Sequence, residues 1–149
     1  MKLLIALYFF ILAIIQMGLF FGIYHYHRAH DRHLVVPSPY WMSSLFVSVL
    51  GLGLFGFMVL GITDVSRPHF LATIANTLIF LSALLQGLFY YALSHQITRQ
   101  IKVVSGVGLV LFFIVFEWMR QFGTFEGRTI FMCILGVITY SWQIRLIRQ

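Results

Sequence analysis

Residues 24 to 33 read YHYHRAHDRH, and four of the chain's six histidines, at positions 25, 27, 30 and 33, fall within this stretch. Imidazoles at this density can ligate a metal, clamp a haem or titrate near neutral pH. At ~100° per residue along a helix, His27, His30 and His33 step by about −60° each, so neighbouring members could share a metal ion. Arg28 and Arg32 stand among them and repel a cation, and no cysteine or second carboxylate is nearby. A haem clamped within a bilayer needs histidines at depth on facing helices, whereas all six here sit at the ends of apolar runs. The preferred reading is a helix extension resting among lipid headgroups, with Tyr24 and Tyr26 as aromatic anchors. A metal on His27 and His30 and a proton-sensitive contact are the alternatives.

A second group of reactive types lies near the C-terminal third. Glu117 and Arg120 are three apart, hence neighbours on one helix face, and charges within or beside a membrane are functional candidates by default. With Glu126 and Arg128 they can form a polar mouth that receives a ligand; ordinary interfacial charges that pair and snorkel are the rival reading. Asn76, in another apolar run, is a third candidate. Its amide is expected to bond to a neighbouring helix, since an unpaired amide in hydrocarbon costs several kcal/mol. A ligand contact is the alternative. Residues 51 to 56, GLGLFG, match the dinucleotide fingerprint G-x-G-x-x-G, but that motif works in a strand–turn–helix unit and here falls mid-run. No nucleophile with a base, paired catalytic carboxylates or phosphate loop is present, so these residues are expected to be neither an enzyme nor the holder of a cofactor.

What positions these groups is a membrane. The chain has 149 residues, 60% hydrophobic and 9% charged, too few charges to cover a water-soluble domain of this size. No charged residue occurs between Lys2 and Arg28, between Arg32 and Asp64, or between Arg67 and Arg99. Each gap exceeds the roughly 20 residues that cross a hydrocarbon core of about 30 Å as a helix. The expected fold is an all-α polytopic bundle of five transmembrane helices in one domain, at residues 3–24, 40–62, 70–93, 103–122 and 129–144. The last is short, about 24 Å, and Arg128 and Arg145 are expected to snorkel from its ends. The opening MKLLIAL is read as a retained first span, because its apolar run is long and lacks a small-residue cleavage site. The net charge of +6 flanks spans, where it meets lipid phosphates, so nucleic acid is not an expected partner.

Basic residues set the expected orientation. Arg28, Arg32, Arg99, Lys102, Arg145 and Arg148 fall on one side, and Lys2, Arg67, Arg120 and Arg128 on the other. This places the N-terminus outside and the C-terminus in the cytoplasm of a bacterial inner membrane, with Arg28, Arg32, Trp41 and Arg145 as interface anchors. Small residues mark the expected helix contacts: Gly18 and Gly22 in the first span; Gly51, Gly53 and Gly56, with Ser44 and Ser48, in the second. In the third, Ala72, Asn76, Ala83 and Gly87 fall within about 60° of arc.

Several of these features together resemble the N-terminal multi-pass membrane region of bacterial diguanylate cyclases, the GGDEF-domain signalling proteins. The likeness rests on a first span followed by Arg28 and Arg32, and on a Trp opening the second (PYWMSSLFVSVLGLGLFG). It continues with LATIANTLIFLSALLQGLFYYAL in the third and an arginine just before the fifth (GRTIFMCILG). It covers nearly all the chain as a pattern of hydropathy with a few polar marks. No GGDEF signature or soluble domain is present, so the resemblance carries over no catalytic or metal residue. It implies a sensory and anchoring bundle that relays or localises cyclic-di-GMP signalling through its C-terminus, with a homo-oligomer or a membrane-protein partner. A small accessory subunit of a larger membrane complex is the alternative. A transporter half is disfavoured, as no span is charged at its middle and no inverted repeat is visible.

Overall fold

Backbone polar groups in hydrocarbon must be satisfied within the segment, so each long uncharged run winds into a helix. The computed structural model describes residues 2–29, 38–61 and 69–148, the side chains of 27–29, 38, 94 and 125 excepted. These residues form α1 (Lys2–Ala29), α2 (Ser38–Gly61), α3 (Phe70–Ser94), α4 (Arg99–Phe122) and α5 (Phe125–Ile147). No strand occurs among the described residues. All five helices are long and apolar enough to cross a membrane, so the all-α polytopic architecture stands.

The ends differ from expectation where capping chemistry intervenes. Thr124 Oγ1 accepts from the Gly127 N–H at 3.1 Å, which starts α5 at Phe125 rather than 129. The fifth span is therefore of ordinary length. At α3, His69 Nδ1 accepts from the Leu71 N–H at 3.3 Å, and the His95 N–H donates to the Tyr91 carbonyl while its ring stacks on Tyr91. Two of the six histidines thus have structural work at helix ends.

The helices follow one another as an open array. α1 packs on α2, α2 on α3, and α3 is the hub that also meets α4 and α5; α4 and α5 touch least. Bilayer lipid is as apolar as leucine, so close packing and hydrogen bonds hold such helices together. Between α1 and α2, Phe9 stacks on Phe55 at 5.3 Å between centroids, and the bare backbone of Gly56 leaves room for the Phe10 ring. Between α2 and α3, Gly51 lies against the Ala75 carbonyl, Leu78 and Ile79. There Ser82 Oγ donates to the Ser44 carbonyl at 2.9 Å. Trp41 packs on Phe89 and Tyr90, so it joins α2 to α3 in addition to its expected anchoring place. Between α3 and α5, Gly87 faces the Trp142 ring, and Gln143 Nε2 donates to the Ala83 carbonyl at 2.9 Å. Ala72 and Ala75 are buried.

Gly18, Gly22 and Gly53 meet no close neighbour among the described residues. Nothing lies within 4 Å of a Cβ built on any of the three. The cause is rotational: α1 turns Phe9, Phe10, Ala13 and Phe20 toward α2. Gly18 and Gly22 then fall on a different, exposed face.

Candidate functional site

α3 and α4 run antiparallel, which brings the start of α3, the end of α4 and the start of α5 together at one end of the array. Glu117 lies five residues from the end of α4, about 7.5 Å along the axis. Thr73, one turn into α3, is fully buried opposite it, and its Oγ1 donates to Glu117 Oε2 at 2.7 Å. Arg120 Nε donates to the same oxygen at 2.8 Å, and Arg120 Nη2 to the other, a two-toothed pairing one helical turn along α4. Gln121 Nε2 donates to Oε1 at 2.9 Å. The carboxylate thus accepts four hydrogen bonds, two per oxygen, which fills its lone pairs. Both members of the ion pair are about one-fifth exposed, 21% for Arg120 and 19% for Glu117.

α5 joins through Arg128. Its Nη1 donates to the Arg120 carbonyl at 3.3 Å, one of the terminal carbonyls that a helix leaves unpaired and where a cation is favoured. The expectation that Arg128 snorkels outward is corrected, since it is buried at 7% exposure. Because Thr124 starts α5 early, Arg128 lies one turn inside the helix, level with the end of α4. An aromatic layer seals the junction toward the membrane interior. Phe112 and Phe116 are buried, and Phe112 stacks on Phe80 of α3 at 4.3 Å, on Phe116 at 5.7 Å and on Phe131 of α5 at 6.0 Å.

Of the residues expected to form a polar mouth, Glu117, Arg120 and Arg128 come together, while Glu126 is exposed and the hydrogen bonds of the junction do not include it. Asn76 is a second correction. Its Nδ2 donates to the Ala72 carbonyl one turn back on its own helix, at 2.8 Å, instead of reaching across to a neighbour. Thr77 does the same to Thr73. Sequence reasoning missed Thr73, the residue that carries the junction to α3. It also missed Gln121, although the i, i+4 spacing from Glu117 was a legible signal, and Gln143 on α5. Gln16, at the middle of the first span, also escaped notice; its buried Oε1 has no partner among the described residues.

The histidine stretch is described only in part. α1 continues through Ala29, so the backbone of residues 25–29 is helical, as the helix-extension reading expects. The side chains of His27 and Arg28, and all of His30, Arg32 and His33, lie outside the described residues. Among the described residues no group of three or more His, Cys, Asp or Glu could hold a metal, and Cys133 is exposed. At the other end of the array, an open groove of about 490 Å³ is lined by Phe20, Pro39, Met42, Ser43, Phe46 and Val47, with no charged side chain among the described residues.

No family model, no curated protein and no solved structure matches the chain. The likeness to the membrane regions of GGDEF-domain proteins therefore rests on the sequence pattern alone.

Proposed function

We propose that the chain is a membrane-embedded sensory and anchoring bundle with the Glu117 junction as its input end. The observation that carries this reading is how α4 is held. Its two buried residues, Phe112 and Phe116, and its bond to α3 through Glu117 all lie in its second half. Residues 99–111 are exposed or half-buried. α5, by contrast, is tied to α3 toward the opposite end through Gln143 and Trp142. A helix fixed at one end against a firmer pair acts as a lever, and its pivot is a polar cluster with no catalytic grouping. In the orientation favoured by the basic residues, the pivot faces outward and α5 delivers the displacement to the cytoplasm. The resemblance to diguanylate cyclases supplies the kind of output, cyclic-di-GMP synthesis or its localisation.

A cyclase domain fused after Gln149 tests this. Its activity in cells is expected to change several-fold with Glu117→Gln and to stay unchanged with Glu126→Gln. Equal activity for wild type and Glu117→Gln would overturn the reading. Topology is tested alongside: a reporter active only in the cytoplasm should work after Gln149 and fail within residues 123–127.

A second reading, an accessory subunit of a larger membrane complex, is favoured by one observation. The Gly18 and Gly22 face of α1 is open, and faces of this type admit close helix approach. Cross-linking from cysteines placed at 18 and 22 in native membranes tests it: a defined heterologous product supports the subunit, and lipid exposure alone refutes it.

A further inference from the structure

A guanidinium stays charged at any pH a protein meets, so a buried arginine must find counter-charge. Arg120 has it in Glu117, which engages it with both oxygens. Arg128 does not. At 7% exposure it is buried, yet among the described residues no carboxylate lies within ion-pair distance of it. Its guanidinium makes one hydrogen bond among them, the 3.3 Å one to the Arg120 carbonyl. A helix terminus offers only about half an elementary charge. Glu117 has no acceptor capacity to spare, since its oxygens already serve Thr73, Arg120 and Gln121. Arg120 and Arg128 thus face each other with like charge, and Glu117 is already engaged by Arg120.

The unused donors of Arg128 are not sealed off. Gln16 Oε1 is the one fully buried side-chain nitrogen or oxygen that lacks a partner among the described residues, so the unpaired guanidinium nitrogens keep some accessible surface. A planar fork of N–H donors, at the end of a span and level with headgroups, matches the oxygens of a phosphate group.

We propose that the tip of Arg128, held against the end of α4, binds a phosphate oxyanion. That group has two sources, the phosphodiester of an anionic lipid headgroup or a phosphate in the aqueous phase. The inference rests on the reading of this end as the input and gives that input a chemistry. A bound oxyanion offsets the charge that α5 brings to α4, so occupancy favours the closed α4–α5 contact.

The test uses the full chain in nanodiscs of a neutral glycolipid that contains no phosphate. In one arm, phosphatidylglycerol is doped in and its retention is read by native mass spectrometry; in the other, inorganic phosphate is titrated in neutral lipid. One or two charge-assisted hydrogen bonds correspond to roughly tenfold in affinity. That preference is expected in wild type, lost in Arg128→Gln, and kept in Arg145→Gln, which removes an exposed arginine from the other end. Saturation by inorganic phosphate in neutral lipid assigns the aqueous source. Phosphatidylglycerol preference without a phosphate response assigns the lipid. Should Arg128→Gln fail to fold, guanidinium ¹⁵N–³¹P dephasing in solid-state NMR reads the contact in wild type, and Arg128→Lys assigns the signal by removing it. Wild type lacking both responses, or Arg145→Gln losing as much as Arg128→Gln, overturns the proposal. If phosphate does not bind while Glu117→Gln still alters the fused cyclase, the ligand is wrong and the input reading survives.

Discussion

Replacing Gly87 by alanine adds one carbon where no space exists. A Cβ built there overlaps Trp142 Cζ3 and comes within 3.1 Å of Cε3 and Cη2. The indole must turn away, or α5 must move off α3, and the second course stretches the Gln143–Ala83 hydrogen bond of 2.9 Å. Overpacking of this kind costs ~1–3 kcal/mol, against a helix-propensity gain of about 1 kcal/mol for Gly→Ala. Net destabilisation is therefore about 1 kcal/mol for Gly87→Ala. For Gly87→Leu, with the hydrogen bond also lost, it rises to roughly 3 kcal/mol. Gly18→Ala meets nothing within 4 Å and should be neutral or stabilising by up to ~1 kcal/mol. Unfolding titrations in mixed micelles, followed by helical circular dichroism, give the ranking. Gly87→Leu as stable as wild type, or Gly18→Ala as damaging as Gly87→Ala, would refute the close-approach argument.

Phe112→Ala should cost about 2 kcal/mol in the same titration. Lipid replaces the lost transfer term, so the cavity and the three stacked rings account for the loss. An effect below that of the exposed Trp118→Ala would contradict the aromatic seal. Glu117→Ala leaves the Arg120 guanidinium and the buried Thr73 hydroxyl without their shared acceptor; a loss of about 2 kcal/mol is expected, between the surface and buried limits for ion pairs. Thr73→Val in the Glu117→Ala background should then add little. Arg28 and Arg32 replaced together by glutamine should weaken the orientation of the first span in reporter fusions, at ~1 kcal/mol per basic residue. His27 and His30 replaced together should leave it intact, and elemental analysis of purified protein should find no stoichiometric zinc, copper or iron.

The spans were legible because the physics of a bilayer acts on long windows: a run without charge longer than the hydrocarbon is thick has one solution. Gly51, Gly56 and Gly87 were legible as contact points for a related reason, since a missing side chain is useful only where something approaches. Which glycines are used depends on rotation about each helix axis, and nearly all-apolar helices such as α1 carry little amphipathic signal to fix it. Gly18 and Gly22 accordingly turn away from α2. Glu117 and Arg120 announced themselves by spacing within one helix. Thr73 did not, because its partner lies 44 residues away and a threonine in an apolar run commonly bonds its own backbone, as Thr77 and Thr139 do. Arg128 was misplaced by a boundary error of four residues, enough to turn an interfacial arginine into a buried one. The Thr124 cap that decides it was visible, but Gly123 and Gly127 around it read as turn.

The central claim, that α4 pivots on the Glu117 junction, is tested most directly by the spacing of α4 and α5 at the far end. Spin labels on Val103 and Ile144, both exposed, report that spacing by pulsed dipolar spectroscopy in nanodiscs. The account predicts that Glu117→Gln shifts or broadens this distance distribution, because the tie to Thr73 and the grip on Arg120 are weakened together, while a control pair on α2 and α3, Leu50 and Leu93, stays unchanged. Identical Val103–Ile144 distributions for wild type and Glu117→Gln would contradict it.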